Sequence, residues 1–233
     1  DGYGTGSAFS FGSGTAVSVT TSELGNAVFI ARTAGTDAKV WGFKLTCAAN
    51  TGAFLADETI DRVLVGRVEK QGGSTGFKGN PGNGGANNVM EGLHYYKCLA
   101  DNPYAWGISG RMSVYSGFVR GGMSGCYFDN VNDLEQTCRH SYLDRAHINN
   151  NTLKRPKKTK NVLKLHSFQY GQVALYSEKI MVSGNVLDLR GGISYNGSND
   201  VGDCSIVIGD GGLGDERVRN YIVENNLTYG CEG

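Results

Sequence analysis

The sequence predicts an all-β fold, a right-handed single-stranded parallel β-helix in which short strands stack as a solenoid. Three observations predict it. The chain is rich in Gly and poor in Pro, its apolar runs are short and several of them end in turn residues, and one Asn-containing pattern recurs along its second half.

The 233 residues suffice for one sizeable domain, and a hydrophobic share of 39% can supply its core. Gly occupies 36 positions and Pro only 3, without the every-third spacing of collagen. Repeated tight turning explains this balance, because Gly reaches positive φ at no steric cost. The apolar runs at 27–30, 40–43, 62–65, 162–165, 204–208 and 220–223 are short, and those at 62–65, 204–208 and 220–223 meet Gly or Asn within two residues. No long window keeps a helical period with caps, so the runs read as strands.

The recurrence is clearest around Asn151, Asn185 and Asn226, which lie 34 and 41 residues apart. Each follows a basic residue and a β stretch and precedes a second short apolar stretch. The segments 38–45 and 61–68 look like earlier, looser copies. One such unit cannot bury its apolar face alone and must stack on its neighbours. An Asn at the bend can enter the left-handed region, and stacked amides can hydrogen-bond from one unit to the next. The whole chain, 1–233, is read as one domain, with the Gly- and Asn-rich stretch 72–88 as a loop excursion. A β-sandwich would need tight hairpins and leaves the recurring Asn unexplained.

Charge excludes more than it identifies. Lys plus Arg and Asp plus Glu both total 22, which argues against a nucleic-acid partner. No apolar run reaches the length of a membrane span. The six cysteines contain no C-x-x-C pair, which argues against structural zinc, and their even number fits disulfides in an oxidising, secreted or cell-surface setting. Cys126 and Cys138 could close a short loop. Asn150, Asn196 and Asn226 begin N-glycosylation acceptor patterns.

Three segments resemble the right-handed parallel β-helix proteins of the polysaccharide-lyase-like group, which includes pectate and alginate lyases. The opening Asp1-Gly2-Tyr3-Gly4-Thr5-Gly6 is similar to a turn after an early coil. Arg139-His140-Ser141-Tyr142-Leu143-Asp144-Arg145 and Val162-Leu163-Lys164-Leu165-His166-Ser167 are similar to two central coils. Ile206-Val207-Ile208-Gly209 through Asp215-Glu216-Arg217-Val218-Arg219 is similar to a late coil. The usual N-terminal cap of that group is missing, which reads as an excerpt of a longer protein. The resemblance implies a Lys/Arg pair, in some members with calcium, acting on an acidic polysaccharide.

The residues themselves offer a matching candidate site. In 162–166, Leu163 and Leu165 share one face of a strand, and Lys164 and His166 share the other. The preceding coil is expected to add Arg139, His140 and Tyr142 on a neighbouring outward face. Such a set suits β-elimination on a uronate polymer: Arg139 clamps the carboxylate, Lys164 or His166 takes the α-proton, and Tyr142 or His140 protonates the leaving oxygen. Simple solvation of outward Lys and His is the competing explanation. Lys154, Arg155, Lys157 and Lys158 form the densest positive run and could attract the same polymer.

Tyr95, Tyr96, Tyr104 and Trp106 could stack on sugars or pack in a core. His147 reads as a turn-packing residue. Asp200, Asp203, Asp210, Asp215 and Glu216 could serve a glycoside hydrolase or hold calcium, the one cofactor considered; no metal ligand is assigned. The leading expectation is a secreted polysaccharide lyase. The alternative is a non-catalytic structural or adhesive β-helix, such as a self-associating surface fibre, filament or tailspike subunit.

Overall fold

Alternation of apolar and polar residues over runs of three to five positions leaves little choice but short strands with one buried face. A computed structural model of the protein describes residues 17–19, 27–31, 38–47, 52–56, 60–72, 76–79, 90–91, 94–101, 114–129, 136–140, 143–156, 160–165, 177–190, 205–209 and 218–230. These residues form strands and bends without a helix, in three sheets of eight, eleven and seven strands. Every strand pairing is parallel. Among the described residues no helix is long and apolar enough to cross a membrane.

The chain visits the sheets in a constant rotation. Ala38–Trp41 lies in the eleven-stranded sheet, Lys44–Cys47 in the eight-stranded and Gly52–Ala56 in the seven-stranded. The next circuit, Val63–Gly66, Glu69–Gly72 and Phe77–Gly79, pairs on these three in the same order. The rotation continues to Val218–Glu224 and Leu227–Tyr229. Phe77 is fully buried, so part of the stretch read as a loop excursion is a core strand.

Register turns sequence alternation into columns. Val65, Tyr95, Met123, Ile148 and Val182 form one inward column of the eleven-stranded sheet, and Phe128, Leu153 and Leu187 one of the eight-stranded. In the seven-stranded sheet Leu163 and Leu165 are buried and Lys164 is half-buried between them, as the alternation predicts.

The corner between the eleven- and eight-stranded sheets repeats at every circuit. A residue with positive φ comes first: Gly42, Arg67, Lys97, Gly125, Asn150, Gly184 and Asn225. Its amide donates to the neighbouring circuit, as from Arg67 to Tyr96 at 2.8 Å and from Asn150 to Ser183 at 3.0 Å. The following residue belongs to the corner column Phe43, Val68, Cys98, Cys126, Asn151, Asn185 and Asn226. The three recurring Asn therefore do not take the left-handed conformation themselves. They follow the residue that does, and their amides form a ladder. Nδ2 of Asn151 donates to Oδ1 of Asn185 at 2.9 Å, and Nδ2 of Asn185 to Oδ1 of Asn226 at 2.8 Å. Each Oδ1 also accepts the backbone N–H of the rung before it, from Cys126, Asn151 and Asn185.

Cys98 and Cys126 occupy the rungs before Asn151, and the backbone N–H of Cys98 reaches Sγ of Cys126 at 3.5 Å. Cys98, Cys126 and Cys138 are buried free thiols. The expected Cys126–Cys138 bridge is thus corrected: Cys126 sits at this corner and Cys138 in the seven-stranded sheet. Cys47 lies in a strand, while Cys204 and Cys231 lie outside the described residues. The acceptor pattern at Asn226 has its amide committed to the ladder and to Val182 O, whereas Asn150 is exposed. Asp1–Gly6 and Asn196 lie outside the described residues.

Candidate functional site

The expected cation pair is present in register. Arg139 and Lys164 are direct neighbours in the seven-stranded sheet, both half-buried, in a column that runs Leu55, Lys78, Tyr115, Arg139, Lys164, Val207. Their neighbour His140 corrects the expectation of an outward imidazole. It is fully buried and packs its ring against Phe118 at 5.2 Å between centroids. The reason is the two-residue period of a strand: if Arg139 faces out, His140 faces in. Tyr142 and His166 lie outside the described residues, as do Asp200, Asp203, Asp210, Asp215 and Glu216.

The basic run divides differently from expectation. Lys154 is an outward residue of the eight-stranded sheet, in register between Asp129 and Asp188, with its ammonium 5.8 Å from the Tyr127 ring centre. Arg155 turns back and binds Asp129 through both Nε and Nη2. Arg190 binds Asp188 at 2.9 and 3.1 Å and holds that carboxyl below the usual carboxylate range. This wall is a network of mixed sign. Lys157 and Lys158 lie outside the described residues.

A more organised constellation lies on the outward face of the eleven-stranded sheet. One column reads Trp41, Gly66, Tyr96, Ser124, Asn149, Ser183 and Glu224; two residues earlier on each strand a second reads Lys39, Leu64, His94, Gly122, His147, Met181 and Ile222. Trp41 lies down over Gly66: a Cβ there would sit 2.2 Å from Cε3 of the indole. With that position empty, the Trp41 and Tyr96 rings come within 6.0 Å and lie nearly parallel, at 17°.

Three cations surround this pair. Nζ of Lys39 is 4.6 Å from the Trp41 ring centre, the Arg67 guanidinium carbon 5.5 Å from it, and Nζ of Lys97 5.3 Å from that of Tyr96. Arg67 and Lys97 are the corner residues with φ of 53° and 47°. The bend thus swings Lys97 beside the Tyr96 ring that precedes it, and Arg67 beside the Trp41 ring that lies over Gly66. Neither Lys39 nor Lys97 pairs with a carboxylate among the described residues. Tyr95, the other half of the Tyr95-Tyr96 pair, faces inward and is 1% exposed.

The second column repeats the device with imidazoles. His94 and His147 flank Gly122 in register, and their rings stack at 5.5 Å and 30°. Any Cβ at Gly122 would come 1.9 Å from the backbone oxygen of His147. Burial lowers the pKa of both imidazoles, and His147 is lowered further by His94. His147 is therefore a wall residue, not the turn-packing residue expected. On its strand, the buried Oδ1 of Asn149 has no hydrogen-bond partner among the described residues.

Neither family models, curated proteins nor solved structures match this chain. Its chemistry is read from its own geometry. Sequence reading missed the Trp41 wall because aromatic residues in short strands serve cores equally well. The signal was positional: Trp41 and Tyr96 each precede a corner, directly after the core residues Val40 and Tyr95.

Proposed function

We propose that the chain is a right-handed parallel β-helix that binds an acidic polysaccharide along its Trp41–Tyr96 wall. The three-sheet rotation supports the solenoid, and the right-handed preference of parallel crossovers supports its hand. The observation that carries the binding reading is the pair of parallel rings across Gly66 with the Lys39 and Lys97 ammonium groups beside them, neither paired with a carboxylate among the described residues.

The C–H face of a pyranose carries partial positive charge and is attracted to the negative face of an aromatic ring. A carboxylate or sulfate on the same sugar would take charge-assisted hydrogen bonds from Lys39, Arg67 or Lys97. Cations gathered on one wall also raise the local concentration of a polyanion. From Trp41 to Asn149 the column crosses five strands, a run of about 19 Å at the usual strand spacing, which suits several sugar units rather than one. An extracellular setting fits such a ligand.

The test is titration of the intact chain with uronate oligosaccharides, followed by indole fluorescence in a Trp106→Phe background and by calorimetry. Binding should weaken with salt and fall at least tenfold in Trp41→Ala or Tyr96→Ala. Binding to no acidic polymer at low salt, or equal binding by both variants, rejects the reading and leaves the structural or adhesive role.

The Arg139–Lys164 neighbourhood favours a second reading, β-elimination on the same class of polymer. Arg139 would hold the carboxylate, and Lys164 or His166 would take the α-proton. Incubation with pectate, alginate and related uronates, with and without calcium, should then raise absorbance in the enone band. A flat trace across that panel removes the lyase reading and leaves the binding wall intact.

A further inference from the structure

We propose that the outward face of the eleven-stranded sheet carries a second polyanion subsite at His94 and His147, so that one acidic chain runs obliquely along the solenoid from the Trp41–Tyr96 corner to the opposite corner. The proposal rests on the polysaccharide reading and extends it to a second set of residues.

Three observations carry it. The first is repetition of one device. Trp41 and Tyr96 flank Gly66 in register, and His94 and His147 flank Gly122 in register. In both pairs the rings meet across a glycine, where the strand between would otherwise place a side chain. The backbone fixes the second gap, since a Cβ at Gly122 would collide with the His147 carbonyl. His94 lies two residues before Tyr96 on the same face of one strand, so the two ring pairs adjoin there.

The second observation is where the cations stand. Arg67 and Lys97 occupy the corner after the first ring pair, but in later circuits that corner holds the uncharged Gly125, Asn150 and Gly184. The corner before these strands has its own positive-φ residues, Arg62, Arg120, Arg145 and Lys179. Arg120 and Arg145 are exposed, two residues before Gly122 and His147. Rings and cations thus cross the wall together, from one corner to the other.

The third is the absence of opposing charge. From Lys39 and Trp41 through Met181 and Ser183 neither outward column contains Asp or Glu, and Glu224 enters only on the last strand. The charged or titratable groups around the imidazoles are Lys39 and Tyr96 within the columns and the cations of the two corners. Asp144 and Glu178 stand just outside the second corner, bound to Arg145 and to Lys179 and Arg219. In a chain of zero formal net charge, a carboxylate-free strip between two rows of cations is a local positive field.

A polymer held at the first subsite keeps its next sugars at high effective concentration over the second. There an imidazolium N–H donates a charge-assisted hydrogen bond to a carboxylate or sulfate. Burial lowers the pKa of both imidazoles in the free chain, and a bound anion favours the protonated ring. Binding is therefore coupled to proton uptake and tightens as pH falls.

The test follows the imidazole C–H signals of the intact chain by NMR during titration with trimeric and octameric polygalacturonate at low salt and pH 6, an arm that needs no variant to fold. Calorimetry at pH 5.5 and 8 runs alongside. The octamer is expected to bind at least tenfold tighter than the trimer, to raise the titration midpoints of His94 and His147, and to leave that of buried His140 in place. Its affinity should rise about fivefold or more from pH 8 to pH 5.5, with proton uptake read from buffers of different ionisation enthalpy. The double variant His94→Gln/His147→Gln should lose that pH slope and most of the length gain, whereas Trp41→Ala should weaken both lengths. Octamer binding that moves neither imidazole, a flat pH profile, or a slope that survives in the double variant overturns the second subsite and leaves the Trp41–Tyr96 wall standing. Failure of the octamer to bind at either pH rejects the polysaccharide reading and this proposal with it.

Discussion

Nδ2 of Asn151 donates to Oδ1 of Asn185 at 2.9 Å, and the backbone N–H of Asn151 reaches the same oxygen at 3.0 Å. One buried carbonyl thus satisfies two donors of the neighbouring circuit. Replacing Asn185 by Ala strands both donors in the interior, at an expected cost of about 2–4 kcal/mol. Urea unfolding should show a lower midpoint at unchanged slope. A loss under half a kcal/mol would mean the ladder is incidental to stability.

Cys126 provides a comparison within the same column, because its sulfur stands where Asn151 and Asn185 place an amide and receives the N–H of Cys98. Asn151→Cys should therefore be milder than Asn151→Ala, since a thiol is a weak acceptor where a methyl group is none. Equal destabilisation would show that shape, not hydrogen bonding, fills this corner.

How much of this was legible in the sequence follows from what repeats and what does not. The Asn ladder was legible because Asn151, Asn185 and Asn226 recur with the same flanks. The Leu163-Lys164-Leu165 strand was legible because strict alternation leaves one arrangement. Placing Arg139 and His140 on one face broke that same alternation, and the buried His140 is the consequence. The Trp41–Tyr96 pair was hidden for another reason. The two rings meet only through register across an intervening strand, and Gly66, which admits the contact, resembles any turn glycine in a chain with 36 of them.

Gly66 and Gly122 offer a contrast in what a single methyl group does. At Gly66 the three atoms nearest the added Cβ all belong to the indole of Trp41, a side chain that can swing away. Gly66→Ala should fold with small loss of stability while breaking the ring pair and its ligand contacts. At Gly122 the Cβ meets the backbone of His147, which is held in the sheet. Gly122→Ala should cost several kcal/mol, about the range of a severe overpacking mutation. Melting curves and indole emission separate the two effects. Similar melting temperatures for both variants would refute the contrast.

The buried thiols make a chemical prediction. Burial raises the pKa of Cys126, with its neighbour Cys98 adding to the effect, so the thiolate form that reacts with alkylating agents is suppressed. Intact protein treated with iodoacetamide at pH 8 should leave Cys98, Cys126 and Cys138 unmodified, and unfolding in guanidinium should expose all three. Mass spectra showing Cys126 and Cys138 joined in the native protein would restore the disulfide that the sequence suggested.

The stacked imidazoles set a pH dependence whose sign is fixed. Burial lowers the pKa of both His94 and His147 in the folded state, and His94 lowers His147 further, against about 6.5 in the unfolded chain. Between the lowered folded value and about 6.5 the unfolded chain binds more protons, so stability rises with pH across that window. The contribution is complete above about 6.5, declines as pH falls below it, and levels off beneath the folded values. Urea midpoints measured from pH 5 to 7.5 should show this slope, and His94→Gln should flatten it by removing one group and relieving the other. A slope of the opposite sign would mean that the folded wall holds these rings protonated.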